Sequence, residues 1–249
     1  MKVANGVEML VLPADLVNGP TIIHPTIIWG KDNMILVDAG LPGQLSQIQD
    51  SFQSAGLTFE KLNKVIITHS DMDHIGSLVS ILNELPEKIE VLAHSDEKPY
   101  IECALPPIRL TQIGAQLKSL QGEQHLQMKI LYENLKANYK NFRANVNRTV
   151  TDGEELSCCG GIKILFTPGH TPGHICLYLE ESKTLVAGDL LNVDNERLVP
   201  SPDFTIVDKS SARTSLKKLT QYDIQAVICY HGGLYTGDVN SRILELVNK

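Results

Sequence analysis

The stretch LNKVIITHSDMDHIGS, residues 62–77, decides how the rest of the chain is read. Its aliphatic run reads as a buried strand. The strand runs straight into His69, Asp71, Asp73 and His74, four side chains of metal-ligand type within six positions. On a loop between a strand and a helix, alternate residues can turn to one side. Imidazole and carboxylate are suitable donors for zinc, manganese or iron. Four donors from one loop suit two neighbouring ions better than one. Beyond Gly76 the residues SLVSILNEL have helical spacing, and Pro86 closes that helix.

Working outward, the upstream residues read as short strands, Val7–Leu12, Thr21–Trp29 and Asn33–Val37, broken by Gly, Pro, Asn and Asp. MILVDAG ends in Asp38 and a glycine turn, and Gln44–Ala55 reads as a helix on the outside of a sheet. Downstream, IEVLAH is the next strand. Residues 95–150 then break the alternation. Within them Met128, Leu131, Leu135, Tyr139, Phe142 and Val146 fall at steps of three and four, the stripe of one long helix. The stripe either packs onto the main body or forms a cap over the site or a dimer surface. Pro106 and Pro107 mark an irregular lead-in, and Glu97–Pro107 is expected to form pocket wall.

Strand signals resume at Thr151. TDGEEL turns into GGIKILFTPG, followed by HICLYLEES, KTLVAGDLL, a helix from about Ser210 to Leu219, the buried strand IQAVICYHGG and a terminal helix. Many adjacent strands are joined by turns too short for crossover helices, so an α/β sandwich fits better than a parallel doubly wound sheet. At the strand ends of this half stand His170 with His174, Asp189 and His231. Any one of these is an ordinary loop residue. Together with the first loop they put several carboxylates and imidazoles at one sheet edge, which is costly to bury without a cation. His170, Asp189 and His231 supply the three further ligands that two ions need, with Asp189 the natural bridge. The remaining candidates are weaker: His24 reads as structural, His94 ends a strand with a site-rim role only as the lesser alternative, His125 reads as solvated, and Tyr230, next to His231 on a strand, is not expected to be catalytic.

Composition narrows the partners. The 249 residues suit one large domain or two similar halves, about 1–94 and 151–249, with the 95–150 stretch as a helical insertion. The hydrophobic fraction of 43% provides a core, and the net charge of -7 argues against a broad grip on long nucleic acid. The five cysteines are odd in number and lack C-x-x-C spacing, so they read as reduced thiols of a cytoplasmic protein. The N-terminal stretch reads as neither a signal peptide nor a membrane span. No phosphate loop and no G-x-S-x-G elbow occurs.

In order along the chain, VDAG, THSDMDHIG, TPGHTPGH, AGDLL and CYHGG resemble the five motifs of the metallo-β-lactamase superfamily. The resemblance implies a four-layer αββα sandwich with two divalent ions, zinc expected and manganese or iron as alternatives. It implies one ion on His69, Asp71 and His170, the second on Asp73, His74 and His231, and Asp189 bridging both together with a shared hydroxide. Asp73 would orient that nucleophile. Asp38 would orient a ligand from behind, and His174 would stand behind the ligands or face substrate. Asp71 departs from the pattern, since the usual loop is H-x-H-x-D-H. The extra negative charge predicts a less electrophilic first ion and more tolerance of manganese or iron. The implied activity is hydrolysis of a small ester-like bond such as a lactone or thioester. A phosphodiesterase or nuclease, or a di-iron redox protein, is the alternative. The partner is a small molecule, without a membrane, and a homodimer is compatible with the same reading.

Overall fold

The computed structural model describes residues 1–16, 19–86 and 89–248, and its first half builds one sheet. Here β1 (Lys2–Ala4) and β2 (Val7–Met9) precede a hairpin of β3 (Leu12–Leu16) and β4 (Gly19–Ile23). Next come β5 (Thr26–Trp29), β6 (Met34–Val37), α1 (Leu45–Ser54), β7 (Lys64–Ile66), α2 (Met72–Ile75), α3 (Leu78–Glu84) and β8 (Glu90–His94). The insertion carries α4 (Lys98–Ile101), α5 (Ile108–Gln116) and α6 (Gly122–Asn138) and returns as β9 (Arg148–Val150). The seven-stranded sheet runs β1-β2-β5-β6-β7-β8-β9, so the end of the insertion completes it.

The second half contributes β10 (Glu155–Leu156), β11 (Ile162–Phe166), β12 (Ile175–Leu179), β13 (Thr184–Val186), a β14 (Leu191–Asp194) and β15 (Arg197–Pro200) hairpin, α7 (Lys209–Lys218), β16 (Ala226–Cys229), β17 (Gly233–Tyr235) and α8 (Val239–Val247). Its sheet runs β10-β11-β12-β13-β16-β17.

Alternation along the strands then fixes the layers. Ile35 and Val37 of β6 join Ile66, Leu92, Ile164, Leu177 and Ile228 in a core between the two sheets, whereas Leu36 faces α1 and α3 through Ile48, Phe52 and Ile81. On the far side Leu165, Leu185 and Val227 meet Leu216 of α7 and Ile243 of α8. Three cores therefore separate four layers, helix, sheet, sheet, helix, as the motif pattern implies. Strands buried on both faces explain why MILV and Val65–Ile67 are unbroken aliphatic runs.

Several expected elements differ in extent. The Val7–Leu12 and Thr21–Trp29 runs are each divided, because Leu10 and the His24–Pro25 turn lead the chain out of the main sheet into the β3–β4 hairpin. Pro25 lacks the N–H a continuous ladder requires. KTLVAGDLL likewise breaks at Gly188 and Asp189. The stripe on one long helix is also corrected. Helix α6 ends at Asn138, a 3₁₀ turn covers Tyr139–Phe142, and Val146 is buried beyond the helix. Asn138 turns its side-chain amide back to the Asn134 carbonyl, the local bonding that makes asparagine a poor interior helix residue. No side chain of α6 is fully buried, and the helix lies on α5. Among the described residues no helix is long and apolar enough to cross a membrane.

Candidate metal centre

The donors gather where strands of both sheets end, on one edge of the sandwich. Asp38 follows β6, the His69–His74 loop follows β7, His170 lies between β11 and β12, Asp189 follows β13, and His231 follows β16. Two triads result: His69, His170 and Asp189, and Asp73, His74 and His231, each with its ligand atoms mutually within 4.8 Å.

The spacing distinguishes an ion cradle from a hydrogen-bonded network. Asp189 Oδ2 is 3.4 Å from His170 Nε2 and 3.3 Å from His231 Nε2, and its Oδ1 is 3.4 Å from His74 Nε2. Asp73 Oδ2 is 3.3 Å from His231 Nε2. Charge-assisted hydrogen bonds are shorter, about 2.7–2.9 Å. Donors held at about 2.0–2.1 Å from one tetrahedral ion stand about 3.3 Å from each other. Moreover, His69 Nε2, His74 Nε2 and Asp189 Oδ1 are buried without a hydrogen-bond partner. Orphaned donors of the right chemistry, converging at ligand separations, fit divalent ions. Asp189 reaches both triads, as a bridge must.

The supporting shell sets the tautomers. Asp38 accepts the Thr68 N–H at 2.8 Å through Oδ1 and the Thr68 hydroxyl at 2.7 Å through Oδ2, and His74 Nδ1 donates to Oδ2 at 2.8 Å. That leaves the lone pair on His74 Nε2, which points at Asp73 and Asp189. Asp38 itself sits at φ 62°, a left-handed backbone that its three hydrogen bonds hold in place. His74 is stacked on Tyr230 with ring centroids 3.7 Å apart, and the Tyr230 hydroxyl donates to the Asp73 carbonyl. His174 is fully buried behind the ligands rather than facing substrate. Its Nε2 accepts the Asp189 N–H at 3.0 Å, and its Nδ1 lies 2.9 Å from the Thr167 hydroxyl. Gly188 stands at φ 49°, and a Cβ there would come within 2.7 Å of His174 Nε2.

Electrostatics favour positive charge here. Burial alone would lower His231, but Asp189 and Asp73 pull it up to about 10. His74 is raised well above its usual range against its burial by Asp38, Asp189 and Asp73. Burial and the neighbouring His74 hold His69 neutral, and burial with His170 pushes His174 down to about 3. Replacing Asp38 with asparagine should therefore turn an amide N–H toward His74 and Thr68 and loosen any divalent ion held there by about 10–100-fold. A dissociation constant for zinc, manganese or iron indistinguishable from wild type would refute that role.

Asp71 lies 3.4 Å from His69 Nε2 and 3.1 Å from His170 Nε2, within reach of the first triad. Its carboxylate is engaged by Arg109 of α5, whose Nε donates at 2.8 and 2.9 Å. Burial would raise Asp71, but the Arg109 guanidinium holds it well below the usual carboxylate range. Neither Arg109 nor Glu97 stood out in the sequence. Glu97 is fully buried and accepts the Ser70 N–H at 2.9 Å and the Gly173 N–H at 2.8 Å, which ties the two ligand loops together. A signal for Arg109 did exist: a carboxylate in the usual place of an imidazole calls for a compensating cation.

The other expectations resolve as follows. His24 is structural, with Nδ1 donating to the Leu10 carbonyl at 2.7 Å. His94 is buried and stacks on Phe166 at 4.1 Å, away from both triads. His125 is half-buried rather than free in solvent, 3.2 Å from the Leu117 carbonyl. Tyr100, Cys103 and Pro107 line a cavity of about 40 Å³ with Asp71, Leu135 and Tyr139, so both the Glu97–Pro107 segment and the α6 stripe cover the outer side of the ligand loop.

The family model of the metallo-β-lactamase superfamily matches residues 18–231. The chain belongs to that superfamily. Among relatives of this metallo-β-lactamase-fold protein is the probable metallo-hydrolase YflN of Bacillus subtilis (strain 168). It is 28% identical over 235 residues, covering 87% of this chain and 82% of the relative. A hydroxyacylglutathione hydrolase of Prochlorococcus marinus is 28% identical over 186 residues, covering 68% and 54%. In structure, the chain is similar to a metallo-β-lactamase family protein of Thermus thermophilus, with a TM-score of 0.72 at 21% identity, covering 98% of this chain and 79% of that one.

Proposed function

We propose that this metallo-β-lactamase-fold protein is a dinuclear metal-dependent hydrolase of a small, ester-like acyl bond, a thioester or a lactone. One observation carries the reading. The two triads meet at Asp189, and Asp189 and His231 form the floor of a cleft of about 310 Å³. Leu16, Pro20 and Phe204 form an apolar rim, while Asn192, Ser201 and Thr205 give it polar points. Neither lysine nor arginine lines it among the described residues. A phosphodiester would call for cationic side chains beside its charged oxygens, so an uncharged acyl group suits the cleft better. The hydroxyacylglutathione hydrolase among the relatives supports the same class.

Zinc, with manganese or iron as alternatives, would be held by His69, Asp71, His170 and Asp189 on one side and by Asp73, His74, His231 and Asp189 on the other. Two such ions supply Lewis acidity, lowering the pKa of water toward neutrality and polarising an acyl oxygen. The protein's own part is orientation and proton transfer. Asp189 holds the triads together, Asp38 and Thr68 fix His74, and the rim seats the acyl group. Asp73, half-buried beside His231, would receive the proton from the attacking water and deliver it to the leaving group.

Chelation should abolish turnover, and zinc, manganese or iron should restore it. A panel of a thioester, a lactone and bis-p-nitrophenyl phosphate then distinguishes the classes. The acyl substrates are expected to dominate; faster cleavage of the phosphodiester would overturn the reading.

A further inference from the structure

Helix α5 sends Arg109 into the first triad, where it makes more contacts than a simple ion pair needs. Besides Asp71, its Nη2 lies 2.7 Å from His170 Nε2. Its Nη1 donates to the Gln112 side chain at 2.7 Å and to the Thr205 carbonyl at 2.6 Å. Arginine is a donor only and does not lose its proton, so His170 Nε2 must be the acceptor in that contact. A metal ion requires the same Nε2 lone pair, and one lone pair cannot serve both. Asp71 is in the same position, since the oxygen closest to His69 and His170 is the one that receives Nη2.

Charge points the same way. Asp71 brings one more negative charge than an imidazole would, and Arg109 cancels it. Among the described residues no lysine or arginine pairs with Asp189 or with any member of the second triad.

We propose that Arg109 is a tethered cation that competes with the divalent ion for Asp71 and His170. The ion at Asp73, His74 and His231 then binds first. Filling of the His69–His170 pocket displaces the guanidinium, and the displacement frees the Thr205 carbonyl. Thr205 and Phe204 line the cleft beside Asp189 and His231, so occupancy of the second ion is coupled to the mobility of the cleft wall. The inference rests on the metal reading of the site.

The test is a titration of the full chain, stripped by chelator, with zinc against a competing chromophoric chelator. Wild type should bind zinc in two steps. In Arg109→Met, which keeps length and loses charge, the weaker step should tighten by about tenfold. In Arg109→Lys, which keeps the charge without the fork, it should move much less. Hydrogen exchange of wild-type amides 203–207 should speed up on the second step, a readout that does not depend on the variants folding. An unchanged or looser weaker step in Arg109→Met, or wild-type exchange that ignores the second ion, overturns the competition while leaving the metal site standing. Failure of wild type to bind zinc, manganese or iron at all removes the metal reading together with this one.

Discussion

Replacing Asp73 with asparagine is expected to lower turnover of the acyl substrate by about 10²–10⁴-fold, the range of a positioned acid–base group. The substitution keeps the shape of the side chain and an oxygen that can still face a cation, but it removes the capacity to take a proton. The surroundings should tolerate it. Asp73 Oδ2 stands 3.3 Å from His231 Nε2 and 3.8 Å from His74 Nε2, and the Asp73 backbone is fixed independently by the Tyr230 hydroxyl. Bound zinc should therefore fall far less than kcat, while KM changes little because the group acts on the reacting atoms and not on the apolar rim. Replacement by alanine should remove both proton transfer and ligand. The measurement is kcat and zinc content on the same sample. Near-native turnover in Asp73→Asn, with zinc retained, would show that Asp73 is a ligand and nothing more.

Several of the candidate site residues stand out in the sequence for a physical reason. They sit just past the end of an aliphatic strand, and a strand buried on both faces leaves little choice about where its end emerges. Runs such as MILVDAG thus announce a site edge from residue order alone, and Asp38, His69, Asp189 and His231 all follow from that one rule. A sandwich was legible because short turns exclude crossover helices between many of the strands, whereas its four-layer order came only from the resemblance of the five motifs. What stayed hidden acts across long sequence separations. Glu97 bonds backbone groups 27 and 76 positions away, and no periodicity links a glutamate to a glycine N–H. Arg109 is one residue of an ordinary helical turn, and only its partner Asp71 makes it unusual. The α6 stripe misled because spacing of three and four continued through Val146 while the helix itself stopped at Asn138. Periodicity records which residues share a face, whereas asparagine's local bonding decides where the helix ends.

The hidden glutamate leads to the second large effect. Glu97→Ala should destabilise the protein by roughly 2–6 kcal/mol, because it leaves two buried backbone donors without acceptors at about 1–3 kcal/mol each. For a chain of this length that corresponds to a fall in Tm on the order of 10 °C. Both lost bonds are charge-assisted, and the two loops they join carry the proposed ligands from opposite halves of the sandwich: His69, Asp71, Asp73 and His74 on one, His170 on the other. Gly173 is pressed so near that a Cβ there would come within 2.7 Å of the Glu97 nitrogen, which leaves little slack for the loops to find each other again. Zinc affinity should accordingly drop by about 10–100-fold, as for other groups that orient ligands from behind. Glu97→Gln should recover only part of both losses, since one of its two ends is an amide donor facing an N–H. A purely structural strut would show the fall in Tm with zinc binding unchanged once the protein is folded at low temperature. That result would take Glu97 out of the metal centre and leave it in the scaffold.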